Sequence, residues 1–195
     1  MPMKEFKAYY LSPIGPVEVF GTPEAIVSVG FVKRRFPDDR ALPECVKEGL
    51  RQLDEYFKGS RKNFSLKLLP RGTPFQKLVW QQLKRIPYGK VASYGDVARA
   101  IGQPQAYRAV GNANNKNPIG IIIPCHRVIG SDGKLVGYGS GLWRKEWLLN
   151  HENRERLVSC PENRLSSRPL RVPQGKLRER SFNYSETLDS SLRSK

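Results

Sequence analysis

The most reactive side chain in the sequence is Cys125, which follows the apolar run 121–123 and Pro124. Pro124 fixes its own φ and keeps the residue before it extended, so the cysteine is held beside a rigid segment. His126 and Arg127 follow directly, and a nearby cation stabilises the thiolate, which is the reactive form of cysteine. The pattern predicts a nucleophilic thiol, although a buried, inert cysteine is the commoner outcome for a lone Cys at a strand end.

His126 and Glu152 are the groups that could activate such a thiol. Neighbouring side chains on a strand point to opposite faces, so His126 reaches Cys125 only where the chain turns or through a bridging water. Glu152 closes the last predicted helix and is a hypothetical partner that would orient the imidazole, as carboxylates do in catalytic triads. From the residues alone, a purely structural histidine stays the alternative.

The charge balance indicates a polyanionic partner. The 195 residues include 34 Lys and Arg against 18 Asp and Glu, a formal net charge of +16. Such an excess favours nucleic acid first and an acidic membrane surface second. Hydrophobic residues make up 38% and charged residues 27%, a composition typical of a chain most of which folds.

The cysteine and histidine content argues against disulfides and metals. Cys45, Cys125 and Cys160 are too few and too scattered for a disulfide framework, and they indicate a reducing compartment and therefore a cytoplasmic protein. With only His126 and His151, and no Cys-x-x-Cys pair, we expect no metal and no other cofactor. No segment has the pattern of a signal peptide or the length of a membrane span, so no membrane association is expected.

Residues 1–68 are predicted to form a small α/β scaffold domain. Short apolar runs separated by Pro and Gly turns indicate strands, and apolar residues at helical spacing indicate one helix. The predicted strands are 6–11, 16–21, 25–32 and 64–68, and the predicted helix is 42–57. Nothing in this unit suggests chemistry.

Residues 69–153 have the features of a helical DNA-binding domain. Thr73 and Ser93 each begin a capping box that opens a helix, and a third helix begins at Pro104. The last two of these form a helix-turn-helix pattern. The predicted helices are 73–85, 93–101, 104–114 and 142–152, with a short buried strand at 121–123.

The helix that begins at Pro104 suits a DNA groove. Its residues 106–113 are mostly small, which permits a close approach, and Arg108 could reach among the bases beside Tyr107. Each candidate also has a simpler explanation. Arg108 could be a solvated charge, Tyr94 a packing residue, and Asn117, before a proline, a turn residue.

Residues 154–195 are predicted to be a basic and mostly disordered tail. They hold ten Lys and Arg against five Asp and Glu and show little apolar periodicity. The remainder of the chain, with 24 basic and 13 acidic residues, keeps a net charge of +11. The inference of a nucleic-acid partner therefore does not depend on the tail.

Several motifs within residues 73–152 resemble the O6-alkylguanine-DNA alkyltransferases. The most specific are Pro124-Cys125-His126-Arg127-Val128 and, upstream of it, Arg108-Ala109-Val110-Gly111. The other matches, in the family's order and spacing, are Ile86-Pro87-Tyr88-Gly89, Ser93-Tyr94-Gly95, Asn117-Pro118, and Lys145-Glu146-Trp147-Leu148-Leu149 with His151-Glu152. The resemblance implies an α+β chain with a small ribonuclease-H-like α/β N-terminal domain and a helical, winged helix-turn-helix-like C-terminal domain.

The resemblance also implies direct repair of double-stranded DNA that contains alkylated guanine. The helix-turn-helix would dock in the minor groove, and the damaged base would leave the stack and enter a pocket. Cys125 would take the alkyl group by in-line displacement, while Glu152, His126 and a bridging water take the thiol proton. Tyr94 would supply a proton or hydrogen bond to the departing guanine. Whether O4-alkylthymine is also a substrate stays open.

Further roles follow from the same resemblance. Arg108 would fill the gap left by the extruded base, Tyr94 would help to rotate the nucleotide, and Asn117 would brace the turn near Cys125. The other expected DNA or substrate contacts are Tyr107, Ser93, Val128, Tyr138, Gly139 and Ser140. Ser140 stands where relatives often carry glycine, so we expect a tighter pocket rim. The cysteines and histidines of the family's eukaryotic zinc site are missing, which again implies no metal.

Three functions are compatible with the sequence. The first is a single-turnover methylated-DNA–protein-cysteine methyltransferase, since a thioether is stable and no second nucleophile is evident. The second is a non-catalytic binder of alkylated DNA, against which Cys125 argues because such relatives usually carry Trp there. The third is a cysteine hydrolase that uses Cys125 and His126, against which the basic charge argues. We expect a monomer with no obligate protein partner.

Overall fold

The computed structural model of the chain describes residues 4–39 and 41–158, the last five of these by their backbone alone. All of them belong to one compact unit, Met1–Asn163. The predicted tail lies outside the described residues from position 159 onward, and the predicted boundary at residue 68 stays a prediction. In the part that the structure describes, no helix is both long and apolar enough to cross a membrane.

The N-terminal part is a three-stranded antiparallel sheet backed by a helix. Strands β1 (Phe6–Ser12), β2 (Gly15–Gly21) and β3 (Ile26–Phe31) lie in the sheet in chain order. Helix α1 (Glu44–Phe57) packs against β1 and β2. The predictions for these three strands and this helix are confirmed to within two residues.

Helix α1 joins the sheet to the rest of the core. Val46, Leu53 and Tyr56 are fully buried and recur at helical spacing, which gives the helix one apolar face. The same apolar cluster includes Trp80 and Leu148 from later helices. Tyr56 is thereby held against the C-terminal part of the fold.

The C-terminal part is built from helices and one small parallel ladder. Its elements are α2 (Pro74–Leu83), β4 (Ala92–Ser93), α3 (Tyr94–Ala100), α4 (Tyr107–Asn115), β5 (Val128–Ile129) and α5 (Leu142–Val158), with 3-10 turns at Pro104–Ala106 and Cys125–Arg127. The capping boxes predicted at Thr73 and Ser93 are both present, completed by Gln76 and Asp96. Helix α5 continues beyond its predicted end at Glu152.

Two predicted strands are wrong. Residues 121–123 form a tight buried turn, in which Ile121 has a φ of 69° and the Ile123 N–H donates to the Ile119 carbonyl at 3.0 Å. Residues 64–68 contribute only a single bridge, between Leu68 and Ile26. Short apolar runs look alike in a buried strand and in a buried turn, so periodicity alone does not separate them.

Candidate active site

Cys125 lies at the wall of a cavity of about 260 Å³. It opens the 3-10 turn Cys125–Arg127, and only 6% of the residue is exposed. The turn removes the strand geometry that would have pointed Cys125 and His126 to opposite faces. The cavity is lined by β3, by the end of α4, by the loop 117–121 and by residues 137–140 of the segment 136–141, which we call the rim loop.

His126, the residue after the cysteine, forms a buried pair with Glu152. The Nε2 atom of His126 lies 2.8 Å from Oε1 of Glu152, and both side chains are fully buried. Burial lowers the pKa of His126, against the opposing effect of the Glu152 carboxylate. The imidazole is therefore neutral, with its proton on Nε2, and its Nδ1 has no hydrogen-bond partner in the described structure.

Glu152 is held as a carboxylate by a set of donors. Burial opposes its ionisation, but hydrogen bonds from His126 and Arg127, together with the Arg127 charge, outweigh this and lower the pKa of Glu152. Arg127 donates from Nε at 2.9 Å and from Nη2 at 3.0 Å. The Gly89 N–H donates at 3.0 Å and the Tyr56 hydroxyl at 2.8 Å. The carboxylate is thus well satisfied and fixed in one orientation.

Asn117 braces the turn that leads to the cysteine. Its Nδ2 donates to the Ile123 carbonyl at 2.8 Å, and its Oδ1 accepts from the Ile119 N–H at 3.1 Å. The Ile123 carbonyl also accepts from the Cys125 N–H at 2.8 Å. These bonds link the predicted bracing residue to the Cys125 backbone across the strained Ile121.

Strand β3 holds the other end of the same loop. The Val29 N–H donates to the Pro118 carbonyl at 2.9 Å, and the Gly120 N–H donates back to the Val29 carbonyl at 2.7 Å. The Ser28 hydroxyl donates to Pro118 at 3.0 Å. Ser28 and Val29 also line the cavity, so the N-terminal sheet forms one wall of the site.

Burial dominates the environment of the Cys125 sulfur. It raises the pKa of the thiol, while the Asn117 amide, the Lys145 charge and nearby backbone N–H groups act in the opposite direction. In the free protein, therefore, the cysteine carries its proton at neutral pH. A base must therefore remove this proton during the reaction, because the thiolate is the reactive form.

Tyr94 and Lys145 meet at one carbonyl of the rim loop. The Tyr94 hydroxyl donates to the Val136 carbonyl at 3.1 Å, and Lys145 Nζ donates to the same oxygen at 2.6 Å. Burial lowers the pKa of Lys145 to about 8, opposed by the attraction of Cys125. Burial raises the pKa of Tyr94, and the negative charge of Cys125, when it is ionised, raises it further. Both side chains therefore lie within electrostatic reach of the sulfur.

Of the predicted substrate contacts, those in the rim loop lie at the cavity, whereas Val128 does not. Tyr138, Gly139 and Ser140 all line the cavity. Val128 does not, because it pairs with Ala92 in the parallel ladder, is fully buried, and uses its N–H to cap the turn at the Cys125 carbonyl. The described geometry therefore leaves Val128 out of the cavity.

Three of the predicted DNA contacts, Tyr107, Arg108 and Ser93, lie outside the cavity. Tyr107 and Arg108 are exposed on α4, with the Arg108 guanidinium 5.6 Å from the Tyr107 ring centroid. Ser93 is occupied as the N-cap of α3, where its hydroxyl bonds to Asp96. The structure thus places these three residues on the helix-turn-helix and apart from the cysteine.

A long basic stretch precedes the helix-turn-helix in the chain and ends in the first turn of α3. Residues 62–95 contain seven Lys and Arg and no Asp or Glu. Lys77, Lys84, Arg85 and Lys90 in this stretch are exposed. This stretch, which includes α2, therefore contributes +7 to the formal net charge of +16.

Several residues of the site were not singled out from the sequence. No local sequence pattern marks Tyr56 as a site residue, because its partner Glu152 lies 96 positions away in the sequence. Lys145 lies inside a quoted motif but had no assigned role, and Arg127 was considered only as a cation near the thiolate, not as a partner of Glu152. Asn114 donates to the Cys125 carbonyl at 3.3 Å and lines the cavity. Among the residues that the structure describes, no group of three or more His, Cys, Asp and Glu could hold a metal ion.

Comparison with known families gives matches over both parts of the chain. The family described as 6-O-methylguanine DNA methyltransferase, DNA binding domain, matches residues 74–154. The family described as 6-O-methylguanine DNA methyltransferase, ribonuclease-like domain, matches residues 6–70.

Individual relatives are similar over most of the described chain. The methylated-DNA–protein-cysteine methyltransferase of Methanosarcina acetivorans is 51% identical over 152 residues, which are 75% of this chain and 97% of the relative. That of Mycobacterium leprae is 47% identical over 152 residues, 76% and 92% of the two chains. The crystal structure of Mycobacterium tuberculosis OGT in complex with DNA is 43% identical, covers 76% of this chain and 93% of its own, and superposes with a TM-score of 0.69.

Proposed function

The chain belongs to the 6-O-methylguanine DNA methyltransferase family, and we propose that it repairs DNA by moving the alkyl group of O6-alkylguanine irreversibly onto Cys125. The observation that carries this proposal is the position of Cys125 at the wall of a cavity, followed directly in the chain by His126, which forms a buried pair with Glu152. The similarity to a methyltransferase crystallised with DNA supports DNA as the partner.

The proposed reaction is a displacement at the alkyl carbon. The Cys125 sulfur attacks that carbon, a sulfur–carbon bond forms, and the bond from carbon to O6 of guanine breaks with its electron pair passing to the base. The products are a thioether and unmodified guanine. Because a thioether is stable and holds the alkyl group on the sulfur, each molecule reacts once.

His126 is proposed to take the thiol proton. Its neutral ring bonds to Glu152 through Nε2, which leaves the Nδ1 lone pair free to accept. A buried atom without a partner calls for a functional explanation or an ordered water. A water between Nδ1 and Sγ would satisfy it and relay the proton, and Glu152 would stabilise the imidazolium that forms.

Tyr94 is proposed to assist the departing base. Guanine leaves poorly as an anion, so it needs a proton or hydrogen bond as the bond breaks. The Tyr94 hydroxyl rests on the Val136 carbonyl at the edge of the rim loop, next to Gly137, which lines the cavity. A base that enters there would meet this hydroxyl, and the proton given up by the thiol is balanced by the one that guanine gains.

The helix-turn-helix is proposed to bind the duplex and open it at the lesion. Arg108 and Tyr107 project from α4 into solvent, free to enter a groove, and Arg108 would fill the space of the extruded base. The basic stretch 62–95 supplies phosphate-neutralising charge. Activity on O4-alkylthymine would use the same cavity and cysteine.

We also propose that the protein works as a cytoplasmic monomer, associated with the nucleoid when bound to DNA. The free thiols Cys45 and Cys125 suit a reducing compartment, since oxidation would consume the acceptor. Light scattering of the purified protein tests the oligomeric state, and a stable dimer would contradict this part of the proposal.

A Cys125→Ser variant tests the proposed function against its alternatives. Wild type should restore guanine in an O6-methylguanine duplex in an amount equal to the protein added, whereas the variant should bind the duplex and restore none. If the wild-type protein bound the duplex and the guanine kept its methyl group, the protein would instead be a non-catalytic binder. Continued product release beyond one equivalent would identify a hydrolase.

A further inference from the structure

Arg144 joins the rim loop to the N-terminal sheet. It lies in the first turn of α5, where its Nε donates to the Ile14 carbonyl at 2.9 Å and its Nη1 donates to the Ser140 carbonyl at 2.7 Å. Ile14 lies between β1 and β2, and Ser140 lines the cavity. One guanidinium therefore connects two segments that are more than a hundred positions apart in the sequence.

Two aromatic rings fix the plane of this guanidinium. Its central carbon lies 4.7 Å from the ring centroid of Phe31 and 4.4 Å from that of Trp143. Phe31, at the end of β3, also lines the cavity. The fit is close, because a Cβ atom at Gly15 would lie 3.0 Å from Arg144 Nη2. Arginine suits such a site, since its planar fork donates in two directions while it stacks.

The rim loop has little rigidity of its own. Gly137, Gly139 and Gly141 alternate along it, and Gly137 and Gly141 adopt φ angles of 55° and 99°. Its first residue, Val136, is held by Lys145 and Tyr94. At the Ser140 end, the side-chain bond that holds the loop comes from Arg144.

We propose that Arg144 is a positioning residue that fixes the width of the cavity mouth and so limits the size of the alkyl group the protein accepts. It touches neither the sulfur nor the cavity itself, and it acts through the Ser140 carbonyl and Phe31. This inference rests on the proposed alkyl transfer to Cys125. It gives the N-terminal sheet a part in substrate selection that its scaffold role does not include.

Loss of Arg144 should change selectivity as well as rate. A loosened rim loop holds the methylated base less firmly, so the rate with an O6-methylguanine duplex should fall about tenfold in Arg144→Ala, as for loss of one charge-assisted hydrogen bond. An O6-benzylguanine duplex gains room from the same change, so the benzyl-to-methyl rate ratio should rise several-fold. Arg144→Lys should behave like Arg144→Ala, because an ammonium cannot reproduce the fork.

The experiment measures methyl and benzyl transfer for wild type, Arg144→Ala and Arg144→Lys. The control Arg51→Ala removes an exposed arginine that pairs with Glu48 and Glu55 on α1, and it should leave the ratio unchanged. Alkylation of Cys125 by iodoacetamide, followed together with the melting temperature, reports on damage that is unrelated to base binding. Hydrogen exchange of the rim-loop amides reports on the loop itself.

A raised ratio, with faster exchange at the rim loop and near-wild-type melting, supports the inference. An unchanged ratio overturns it, as does an equal fall of both transfer rates together with the melting temperature, since Arg144 would then be only a structural residue. Failure of wild type to alkylate Cys125 would refute the proposed function separately. Hydrogen exchange would then still decide whether Arg144 holds the loop.

Discussion

The hydroxyl of Tyr56 donates a hydrogen bond to Oε1 of Glu152 at 2.8 Å, the same oxygen that contacts His126. Tyr56 belongs to α1, in the part of the chain that the sequence marked as scaffold. The bond is fully buried, so its loss leaves no water to replace the donor. The N-terminal part therefore helps, through Glu152, to orient the proposed base His126.

Removal of that hydroxyl should weaken both the fold and the chemistry. Tyr56→Phe loses one hydrogen bond to a charged acceptor, worth about 1.5–3 kcal/mol, and frees the carboxylate to rotate. We expect a lower free energy of unfolding in urea and slower methyl transfer. The control Tyr10→Phe removes a half-buried bond of 3.3 Å to Asp54 and should spare transfer. Equal transfer rates for wild type and Tyr56→Phe would contradict the orienting role.

Glu152 should stabilise the fold in a pH-dependent way. Its pKa in the folded protein lies below the unfolded value of about 4.3, so its contribution is complete above about pH 5 and is lost as the pH falls through the folded pKa. Glu152→Gln leaves Arg127 buried without its counter-charge and should cost about 3–5 kcal/mol at pH 7.

Urea unfolding at pH 7 and at pH 3 measures this difference. The difference in free energy of unfolding between wild type and Glu152→Gln should be smaller at pH 3 than at pH 7. The control Glu55→Gln, which removes a surface ion pair with Arg51 and Arg61, should change stability little at either pH. A gap that is as wide at pH 3 as at pH 7 would show that Glu152 does not titrate as inferred.

The raised pKa of Cys125 should govern its reaction with small reagents. Iodoacetamide is not bound as a guanine base would be, so the rate of its reaction with Cys125 should follow the fraction of the thiol that is ionised. That rate should rise about tenfold per pH unit between pH 7 and 8.5. Peptide mass spectrometry separates Cys125 from Cys45. A rate that is already level at pH 7 would show a preformed thiolate and would contradict the proposed proton transfer to His126.

Arg108 should matter for duplex DNA and not for the chemistry. Arg108→Ala should lower repair of a duplex far more than reaction with free O6-benzylguanine base, which needs no extrusion. If Arg108 also contacts a phosphate, the slope of log Kobs against log salt should fall by about one. Equal losses with duplex and free base would reject the extrusion role.

Local signals predicted much of the fold. The capping boxes at Thr73 and Ser93 depend on residues three positions apart, so the sequence displays both partners, and the structure has both. The three N-terminal strands likewise follow from alternation and turn residues. Residues 121–123 were wrongly predicted to be a strand, because a buried turn needs the same apolar side chains as a buried strand.

The candidate site was predictable mainly where its residues form one motif, with the Glu152 partner of His126 as the more distant exception. Cys125, His126 and Arg127 are adjacent, and Asn117 lies close upstream. The Tyr56 bond to Glu152 and the Arg144 bond to Ile14 join positions about a hundred or more residues apart, and no local pattern encodes such a meeting. The raised pKa of the cysteine likewise depends on burial by distant elements, which a neighbouring cation in the sequence does not reveal.

The most direct test of the central claim is the mass of the protein after reaction with an excess of O6-methylguanine duplex. Transfer to Cys125 predicts that every active molecule gains one methyl group in place of the thiol hydrogen, that fragmentation places it on Cys125, and that an equal amount of guanine is restored in the DNA. Unmodified protein with repaired DNA, or a methyl group on another residue, would contradict the account.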